Sequence, residues 1–367
     1  MEWLAPGLLV AQIVGLGALV WIGGRRLKTP AAPAPALEWP AVSVIIPVKG
    51  LSRAAREGID SLTAQGYPDI EFLFVTESEG DEATPLIREV LGRVRGRHIV
   101  AGPAASCGQK NFNLLAGIRA SDPGRPVLVF CDAGHSAPPD WLRELVAPIA
   151  ARKSEVSTGY HFVDPSPPAI PSAGRAATVL MLHVLQQIPG LAQPWGGASA
   201  MTRALFERLN LAEFWARQVV DDVSLALLLK KQSVRVVPAP AAVMRTVLES
   251  ESWAEWYRWL TRQLFYLKMY FPFAWFVGGL LGYAMAVFLL ICPFSAMGPA
   301  PWALLLLLIV GMRSFHPSPG PWGRWLAGGV AAIVLACIGH ARTVFMRGLT
   351  WRGIVYEVAR DGSVRRI

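Results

Sequence analysis

The sequence predicts an α/β fold, a doubly wound sheet with membrane-spanning segments near both ends of the chain. Short apolar runs alternate with helical stretches between about residues 42 and 131, which is typical of such a sheet. Long uncharged stretches lie near the N-terminus and in the C-terminal third. The composition agrees, because a chain of 367 residues with 53% hydrophobic and 17% charged residues is more apolar than most soluble enzymes.

Charge and cysteine usage indicate where the protein works. The net charge of +9 suits the anionic cytoplasmic face of a membrane. A nucleic-acid partner is not expected, because the sequence lacks a basic stripe interleaved with aromatic residues. The four cysteines have neither metal-binding nor disulfide spacing, as expected in a reducing compartment. We therefore expect a multi-pass protein of the inner membrane with its soluble domain in the cytoplasm.

The first 28 residues are predicted to be a retained transmembrane anchor. Residues 3–24 carry no charge and are long enough to cross a bilayer, and three basic residues follow within 25–28. In a cleaved signal peptide the positive charges would precede the apolar segment. Residues 29–40 then form a Pro/Ala linker, which we expect to be extended and semi-stiff.

The central part of the chain supplies the strands and helices of the sheet. Strands are predicted at 42–47, 70–75, 98–101 and 127–131, with helices at about 52–65, 82–95 and 109–119. From about residue 175 to 250 the pattern is looser. It includes a turn-rich segment at 193–199, an apolar helix that begins with Asp221-Asp222 and an edge-like strand at 234–237. Ligands of such sheets bind beyond the C-terminal strand ends, where acidic residues cluster at 77–81 and at 132.

The C-terminal third is predicted to meet the membrane. Residues 252–270 are aromatic and basic, as in a helix lying at the headgroups. The apolar stretches 271–297, 300–312 and 325–341 follow, and the second is short for a span. Three crossings of region 271–345 would separate the basic tail, residues 346–367, from the soluble domain. We therefore expect one stretch to be re-entrant or interfacial, and the turn Asp361-Gly362 suggests a small hairpin in the tail.

Five motifs in order resemble a family 2-type glycosyltransferase, most similar to ceramide glucosyltransferases and bacterial lipid- and hopanoid-glycosylating relatives. They are Val42–Gly50, the acids at 77–81, Cys131-Asp132-Ala133-Gly134, the doublet Asp221-Asp222 and the aromatic, Arg-containing segment after 252. The resemblance covers about residues 40–270. It implies that residues 41–251 form an A-type, Rossmann-like domain that binds a nucleotide sugar and inverts the anomeric carbon during transfer.

The resemblance also implies the donor site. The implied donor-binding residues are Pro47, Lys49, Gly50, Glu77, Lys110, Asn113, Asp132, Trp259, Arg262 and Gln263. A solvated acidic loop around Glu77 and a solvent-exposed Lys110 are the alternatives. For the closing motif, the register Trp259-Leu-Thr-Arg262-Gln263 competes with Glu255-Trp-Tyr-Arg258-Trp259. We prefer Arg262 as the diphosphate contact, although the Trp side chains could equally be interfacial anchors.

A divalent cation, Mg²⁺ or Mn²⁺, is the implied cofactor. The family pattern is Asp-x-Asp, whose carboxylates hold the ion against the diphosphate. Here Asp132 is present, Gly134 stands at the second position as in the ceramide-type branch, and His135 follows. The motif therefore leaves one carboxylate, Asp132, to hold the ion.

The doublet is the implied catalytic centre, with Asp222 as the base that takes the acceptor proton and Asp221 as its supporting neighbour. Without the resemblance, an acid here could simply favour a helix N-terminus. Trp195, Gly196 and Gly197 correspond to the acceptor-side loop, for which a plain turn is the alternative. The expected reaction moves a hexose from a UDP-sugar to a lipid hydroxyl. Transfer to a hopanoid or polyprenyl phosphate, or non-catalytic binding of a nucleotide sugar, are the alternatives.

Overall fold

The structure is a computed structural model that describes residues 4–28, 38–248, 251–294, 298–359 and 363–367. Most of the predicted linker and the predicted turn Asp361-Gly362 lie outside these residues. The chain divides into two compact units. We call Ala31–His161, Ala192–Thr246 and Arg347–Ile367 the sheet unit, and Met1–Pro30, Phe162–Leu191 and Val247–Met346 the helical unit.

The sheet unit is organised around seven strands. In chain order they are β1 Val42–Pro47, β2 Ile70–Thr76, β3 Gly96–Val100, β4 Val127–Cys131, β5 Val156–Asp164, β6 Ala198–Thr202 and β7 Val236–Val247. Their order in the sheet is β3-β2-β1-β4-β6-β5-β7. The first four strands are parallel, whereas β6 is antiparallel to β4 and to β5. This mixed α/β sheet confirms the predicted fold class.

Thirteen α-helices lie within the described ranges. They are α1 Leu4–Lys28, α2 Arg53–Thr63, α3 Thr84–Leu91, α4 Gln109–Ala120, α5 Trp141–Ala150, α6 Ile170–Gln186, α7 Arg203–Arg208, α8 Leu211–Trp215, α9 Asp222–Lys231, α10 Trp253–Tyr270, α11 Pro272–Ile291, α12 Ala300–Arg313 and α13 Trp322–Phe345. Side-chain caps explain where two of these helices begin. Ser52 and Thr202 accept hydrogen bonds from the backbone N–H groups of Ala55 and Leu205 at the beginnings of α2 and α7.

Period-two burial places the core on both sides of the sheet. Val44 and Ile46 of β1 belong to one cluster of buried residues, whereas Ile45 between them belongs to the other. The same alternation in β2 separates Phe74 from Val75. The strands are therefore nearly continuous apolar runs, because each of their faces is covered.

The sequence pattern does not predict α6, and it predicts only the first part of β7. Helix α6 is buried on most of its surface, so it lacks the polar face that makes a helix visible as a period in the sequence. Its small residues permit close packing: a Cβ at Gly174 would overlap the indole of Trp256 in α10.

Three helices of the helical unit are long and apolar enough to cross a membrane, among the residues described. They are Leu9–Lys28, Pro272–Phe294 (which includes a short 3₁₀ turn) and Trp322–Phe345. Helix α12 has only 14 residues, which confirms that the stretch at 300–312 is short for a span. The predicted aromatic and basic helix is α10, which begins with reciprocal hydrogen bonds between Ser252 and Glu255.

The C-terminal residues form a second, antiparallel sheet in the order β10-β9-β8, with β8 Gly348–Trp351, β9 Ile354–Val358 and β10 Val364–Arg366. The pairing of β9 with β10 is the hairpin predicted for the tail. A second hairpin joins β8 and β9 through Arg352 and Gly353, whose φ angles are 50° and 79°. This small sheet belongs to the sheet unit.

Candidate active site

One edge of the large sheet gathers the predicted site residues of the sheet unit. Strands β1, β2 and β4 are parallel, so Pro47 at the end of β1 lies at the same edge as Glu77 and Asp132, which directly follow β2 and β4. Strand β6 runs the other way, and Ala198 at its start pairs with Cys131 at the end of β4. The register therefore brings the loop Trp195–Gly197 to the same edge.

Lys110, in the first turn of α4, lies at the centre of this group. Its Nζ atom is 2.8 Å from Asp132 Oδ1 and 3.0 Å from Asp221 Oδ2. It also donates a 3.0 Å hydrogen bond to the carbonyl oxygen of Gly196. Only 11% of the Lys110 side chain is exposed, so the alternative of a solvent-exposed lysine does not hold. Its ammonium joins the second and third acidic motifs.

Buried contacts hold α4 against the segment that leads to the doublet. The Gly108 N–H donates to the carbonyl oxygen of Gln218 at 2.8 Å, and the Asn111 amide donates to the same oxygen at 3.1 Å. The Trp215 indole N–H then donates to the Asp221 carbonyl oxygen at 3.1 Å. These bonds fix the backbone of both segments, which explains how Lys110 and Asp221 meet although they are far apart in the chain.

Burial and the neighbouring charges together set the pKa values of Lys110 and Asp221. Desolvation alone would lower the pKa of Lys110, but the carboxylates of Asp132, Asp221 and Asp222 outweigh it and raise that pKa. For Asp221 burial is the larger effect, and it raises the pKa to about 6. Lys110 acts against this increase, whereas Asp222 and Asp132 add to it. Asp221 is 3% exposed and is therefore a buried partner of Lys110.

Asp222 begins α9 and is oriented by two backbone N–H groups. Gly196 N donates to Oδ2 at 3.0 Å, and Val223 N donates to Oδ1 at 2.7 Å. An added Cβ at position 196 would overlap the Asp221 carboxylate and lie 2.7 Å from Lys110 Nζ, so any larger residue would have to displace this ion pair. Residues 195–198 form a turn in which Ala198 N donates to the Trp195 carbonyl oxygen at 3.0 Å, and the acceptor-side role of this loop stays a prediction.

An aromatic cluster surrounds the loop, and the sequence pattern predicts only part of it. The Trp195 ring is stacked on the His161 ring, with centroids 4.4 Å apart and an interplanar angle of 4°. His135 and Tyr160 lie 5.0 Å and 5.2 Å from Trp195. The hydroxyl of Thr246 lies 2.6 Å from Nδ1 of both His135 and His161. No sequence motif marks Tyr160, His161 or Thr246, because they come from β5 and β7.

A second group of charges lies at the ends of β1 and β2. Lys49 Nζ is 3.1 Å from Glu77 Oε2. Gly50 has a φ angle of 71°, in the left-handed region that favours glycine, and its N–H donates to both carboxylate oxygens of Asp81 at 3.0 and 3.2 Å. Asp81 therefore shapes the loop, whereas Glu77 is part of an ion pair.

The predicted donor contact of Asn113 has no support in this geometry. Asn113 is 4% exposed, its amide donates to the carbonyl oxygen of Val75 at 3.3 Å, and its carbonyl accepts from Gln109 at 2.8 Å. Both partners are protein atoms, so the side chain fastens α4 to the end of β2.

Asp132 fits a metal that is held jointly by the protein and a diphosphate. Its side chain is 38% exposed, and Oδ2 is 3.9 Å from His135 Nε2. No group of three or more His, Cys, Asp or Glu side chains that could hold an ion occurs among the described residues. One carboxylate with substrate phosphates and water is nevertheless a common way to bind Mg²⁺.

Trp259, Arg262 and Gln263 lie on α10 of the helical unit. Within that unit the Arg175 guanidinium carbon lies 4.9 Å from the centroid of the Trp259 ring, and Arg175 also pairs with Glu251 at 2.7 Å. The diphosphate contacts expected of these three residues stay predictions.

The comparison with protein families decides the class of the chain. The model of glycosyl transferase family 21 matches residues 7–364. The chain belongs to glycosyl transferase family 21. It is therefore a glycosyltransferase with an A-type catalytic domain, as the resemblance implied.

Two further similarities agree with this family 21 assignment. The chain is 24% identical over 135 residues to ceramide glucosyltransferase 1 of Caenorhabditis elegans, and the match spans 36% of this chain and 28% of the relative's length. The fold is similar to mannosyltransferase PcManGT from Pyrobaculum calidifontis, solved in complex with GDP-Man and Mn²⁺. That similarity has a TM-score of 0.55 at 20% identity and covers 91% of this chain and 98% of the other.

Proposed function

We propose that this family 21 glycosyltransferase moves a hexose from a UDP-sugar to the hydroxyl group of a membrane lipid, with inversion at the anomeric carbon. The observation that carries the proposal is the position of the Asp222 carboxylate. It stands beside the loop Trp195–Gly197, at the sheet edge that also holds Asp132 and Glu77. An oriented acceptor-side carboxylate and separate strand-end acids are what a single-displacement transfer needs.

In the proposed reaction, a carboxylate oxygen of Asp222 takes the proton from the acceptor hydroxyl. The hydroxyl oxygen attacks C1 of the sugar while the bond between C1 and the diphosphate oxygen breaks, and UDP leaves from the opposite face. The hydrogen bonds from Gly196 and Val223 orient the carboxylate for this task. The half-buried Trp195 ring, packed against His135, Tyr160 and His161, would offer its remaining accessible surface to a sugar ring or an acceptor chain.

Donor binding is assigned to the strand ends. Lys49 and Glu77 would meet the nucleoside, and the loop at Pro47 and Gly50 would bring backbone close to it. Two carboxylates hold Lys110. Its ammonium would partly neutralise them and so reduce the repulsion that they exert on a diphosphate. Asp132 would hold Mg²⁺ or Mn²⁺, which when bound neutralises charge on the leaving diphosphate.

The positions of the long helices support a membrane protein with its catalytic side in the cytoplasm. Along the chain, the candidate spans Pro272–Phe294 and Trp322–Phe345 come after one part of the sheet unit and before another. Both parts must lie on the same side of the bilayer, because they form one compact unit. An even number of crossings is required there, and these two helices supply it without α12. Basic residues at the end of α1 then favour the cytoplasmic side.

The decisive experiment incubates membranes that contain the protein with labelled UDP-glucose, UDP-galactose or GDP-mannose and separates the lipids. The expected result is label from a UDP-sugar in a lipid whose sugar resists mild acid, as a glycoside of a hydroxyl does. Mild-acid release of the sugar would indicate a polyprenyl-phosphate acceptor instead. Label from GDP-mannose alone, or no labelled lipid from any donor, would contradict the proposal. Chelation with EDTA and re-addition of Mn²⁺ or Mg²⁺ tests the metal in the same assay.

A further inference from the structure

The small C-terminal sheet has one buried face and one exposed face. Strand partners place Leu349, Tyr356 and Arg366 side by side, because Leu349 pairs with Tyr356 and Tyr356 pairs with Arg366. Tyr356 is 1% exposed and Leu349 is 6% exposed, whereas Glu357 and Arg365, which form the adjacent pair, are exposed. The sheet is therefore packed against the rest of the sheet unit through the face that carries Tyr356.

This face meets the sheet unit at the start of α4. The Tyr356 hydroxyl accepts a 3.1 Å hydrogen bond from the N–H of Gln109, one of the N–H groups that the first turn of a helix leaves without a helical partner. Arg366 Nη1 lies 3.3 Å from Gln109 Oε1. The C-terminal sheet thus contacts the first turn of α4, which also carries Lys110.

Arg366 also reaches the end of β2. Its Nη1 is 2.9 Å from Glu77 Oε1, while Lys49 Nζ is 3.1 Å from Glu77 Oε2. Each carboxylate oxygen of Glu77 therefore has its own cation. Burial by itself would raise the pKa of Glu77, but the hydrogen bonds from Arg366 and Lys49 outweigh it and hold the pKa below its ordinary value.

The charges of Lys49, Glu77 and Arg366 partly balance. Two cations share one carboxylate, so these three side chains together carry one net positive charge, and the Asp81 carboxylate lies in the same loop. The side chains of Lys49, Glu77 and Arg366 are 38%, 20% and 32% exposed, so all three remain accessible. A carboxylate held between two cations keeps one orientation, so it is preorganised to accept a hydrogen bond from a ribose hydroxyl or from an N–H of the base.

We propose that the C-terminal sheet completes the nucleoside end of the donor site, and that Arg366 is the positioning residue that holds Glu77 for the nucleoside. The inference rests on the proposed function, because the nucleoside contact of Glu77 is part of that function. A purely structural role would make Arg366 matter for stability alone, whereas a positioning role makes it matter for donor affinity.

The test measures UDP binding by calorimetry on the full chain in detergent, for the wild type, Arg366→Ala and Arg365→Ala. Arg365 is the matched control, since it is the neighbouring arginine on the exposed face and its loss removes the same charge. We expect Arg366→Ala to weaken UDP binding about five- to twentyfold, as removal of one charge-assisted hydrogen bond does. The KM for the sugar donor should rise by a similar factor with kcat nearly unchanged, and Arg365→Ala should resemble the wild type.

A double-mutant cycle separates positioning from direct contact. Because Arg366 acts through Glu77, Arg366→Ala should cost little further UDP affinity once Glu77→Gln is present. Arg366→Lys, which keeps the charge, should recover part of the affinity. Additive losses would overturn the positioning role, since they would show that Arg366 acts on the nucleotide independently of Glu77.

The remaining outcomes distinguish this inference from the proposed function. If the wild type binds UDP and Arg366→Ala binds it as well as Arg365→Ala does, the inference fails and the proposed function stands. If the wild type does not bind UDP, the proposed function fails and the inference fails with it. Should Arg366→Ala not fold, Arg366→Gln takes its place in the comparison with Arg365→Ala, because glutamine keeps much of the side chain but removes the positive charge.

Discussion

Lys110 and Asp221 form a 3.0 Å ion pair with only 11% and 5% of their side chains exposed. The same ammonium contacts Asp132, so three residues from separate motifs share one buried charge centre. Both ions have lost most of their hydration, and each depends on the other to remain charged. The pair is therefore the electrostatic centre of the site, and it determines the first two predictions.

Replacing Lys110 by Met should destabilise the fold by about 3–5 kcal/mol, because it leaves the buried Asp221 carboxylate without its cation. Thermal unfolding in detergent measures the change. Lys231→Met is the control, since Lys231 is exposed at the end of α9. An equal melting temperature for the two variants would contradict the prediction. Adding Asp221→Asn to Lys110→Met should restore part of the stability, because one unpaired charge is then removed.

Asp221 should make stability decrease as the pH rises from about 4 to 6. Its folded pKa of about 6 lies above the ordinary 3.8, so in this range the folded protein keeps a proton that the unfolded chain has released. Asp221→Asn removes this titration, and the variant should gain stability relative to the wild type across the same range. Melting temperatures at several pH values from 4 to 7 give the comparison. A difference that does not change with pH would show that Asp221 titrates normally.

Asp222→Asn should lower kcat by about 10²- to 10⁴-fold, the usual contribution of a general base. The amide keeps an oxygen that can accept from Gly196 N, so the loop should remain in place and UDP affinity should be unchanged. Initial rates of lipid glycosylation and calorimetry with UDP test the two statements separately. Full activity in this variant would remove Asp222 from the mechanism.

Gly196→Ala should disable transfer and destabilise the protein by about 1–3 kcal/mol, because its methyl group has no room beside Asp221 and Lys110. Gly80→Ala is the matched control, since an added Cβ there meets no atom within 4 Å. Activity and melting temperature of both variants are the measurements. If Gly196→Ala is as active as Gly80→Ala, the close approach of the loop is not required.

The strands that hold the site were predictable from local pattern. Runs such as Val42–Pro47 and Val127–Cys131 are buried on both faces, and this leaves a continuous apolar signature in the sequence. Acids directly after such runs lie at the ligand-binding edge of any parallel sheet, so Glu77 and Asp132 could be selected in advance. The doublet at 221–222 was conspicuous because adjacent acids before an apolar helix are unusual.

Other parts of the site left no local signal. His161 and Thr246 come from β5 and β7, and only the order of the strands brings them to Trp195. Asn113 lies near the donor motifs in sequence, yet one helix turn directs it inward to Val75. Side-chain direction on a helix changes by about 100° per residue, so proximity in sequence does not ensure a place in the site.

Hydrophobic periodicity and residues adjacent in the chain predict the class of fold, the sheet edge at which a ligand is expected and the acids that follow its strands. The meeting of Lys110 with both Asp132 and Asp221 depends on the folded structure instead, and so does the return of Arg366 to Glu77 from 289 residues away. A charge pair depends on distance in space, and packing and strand order set the distance between remote segments.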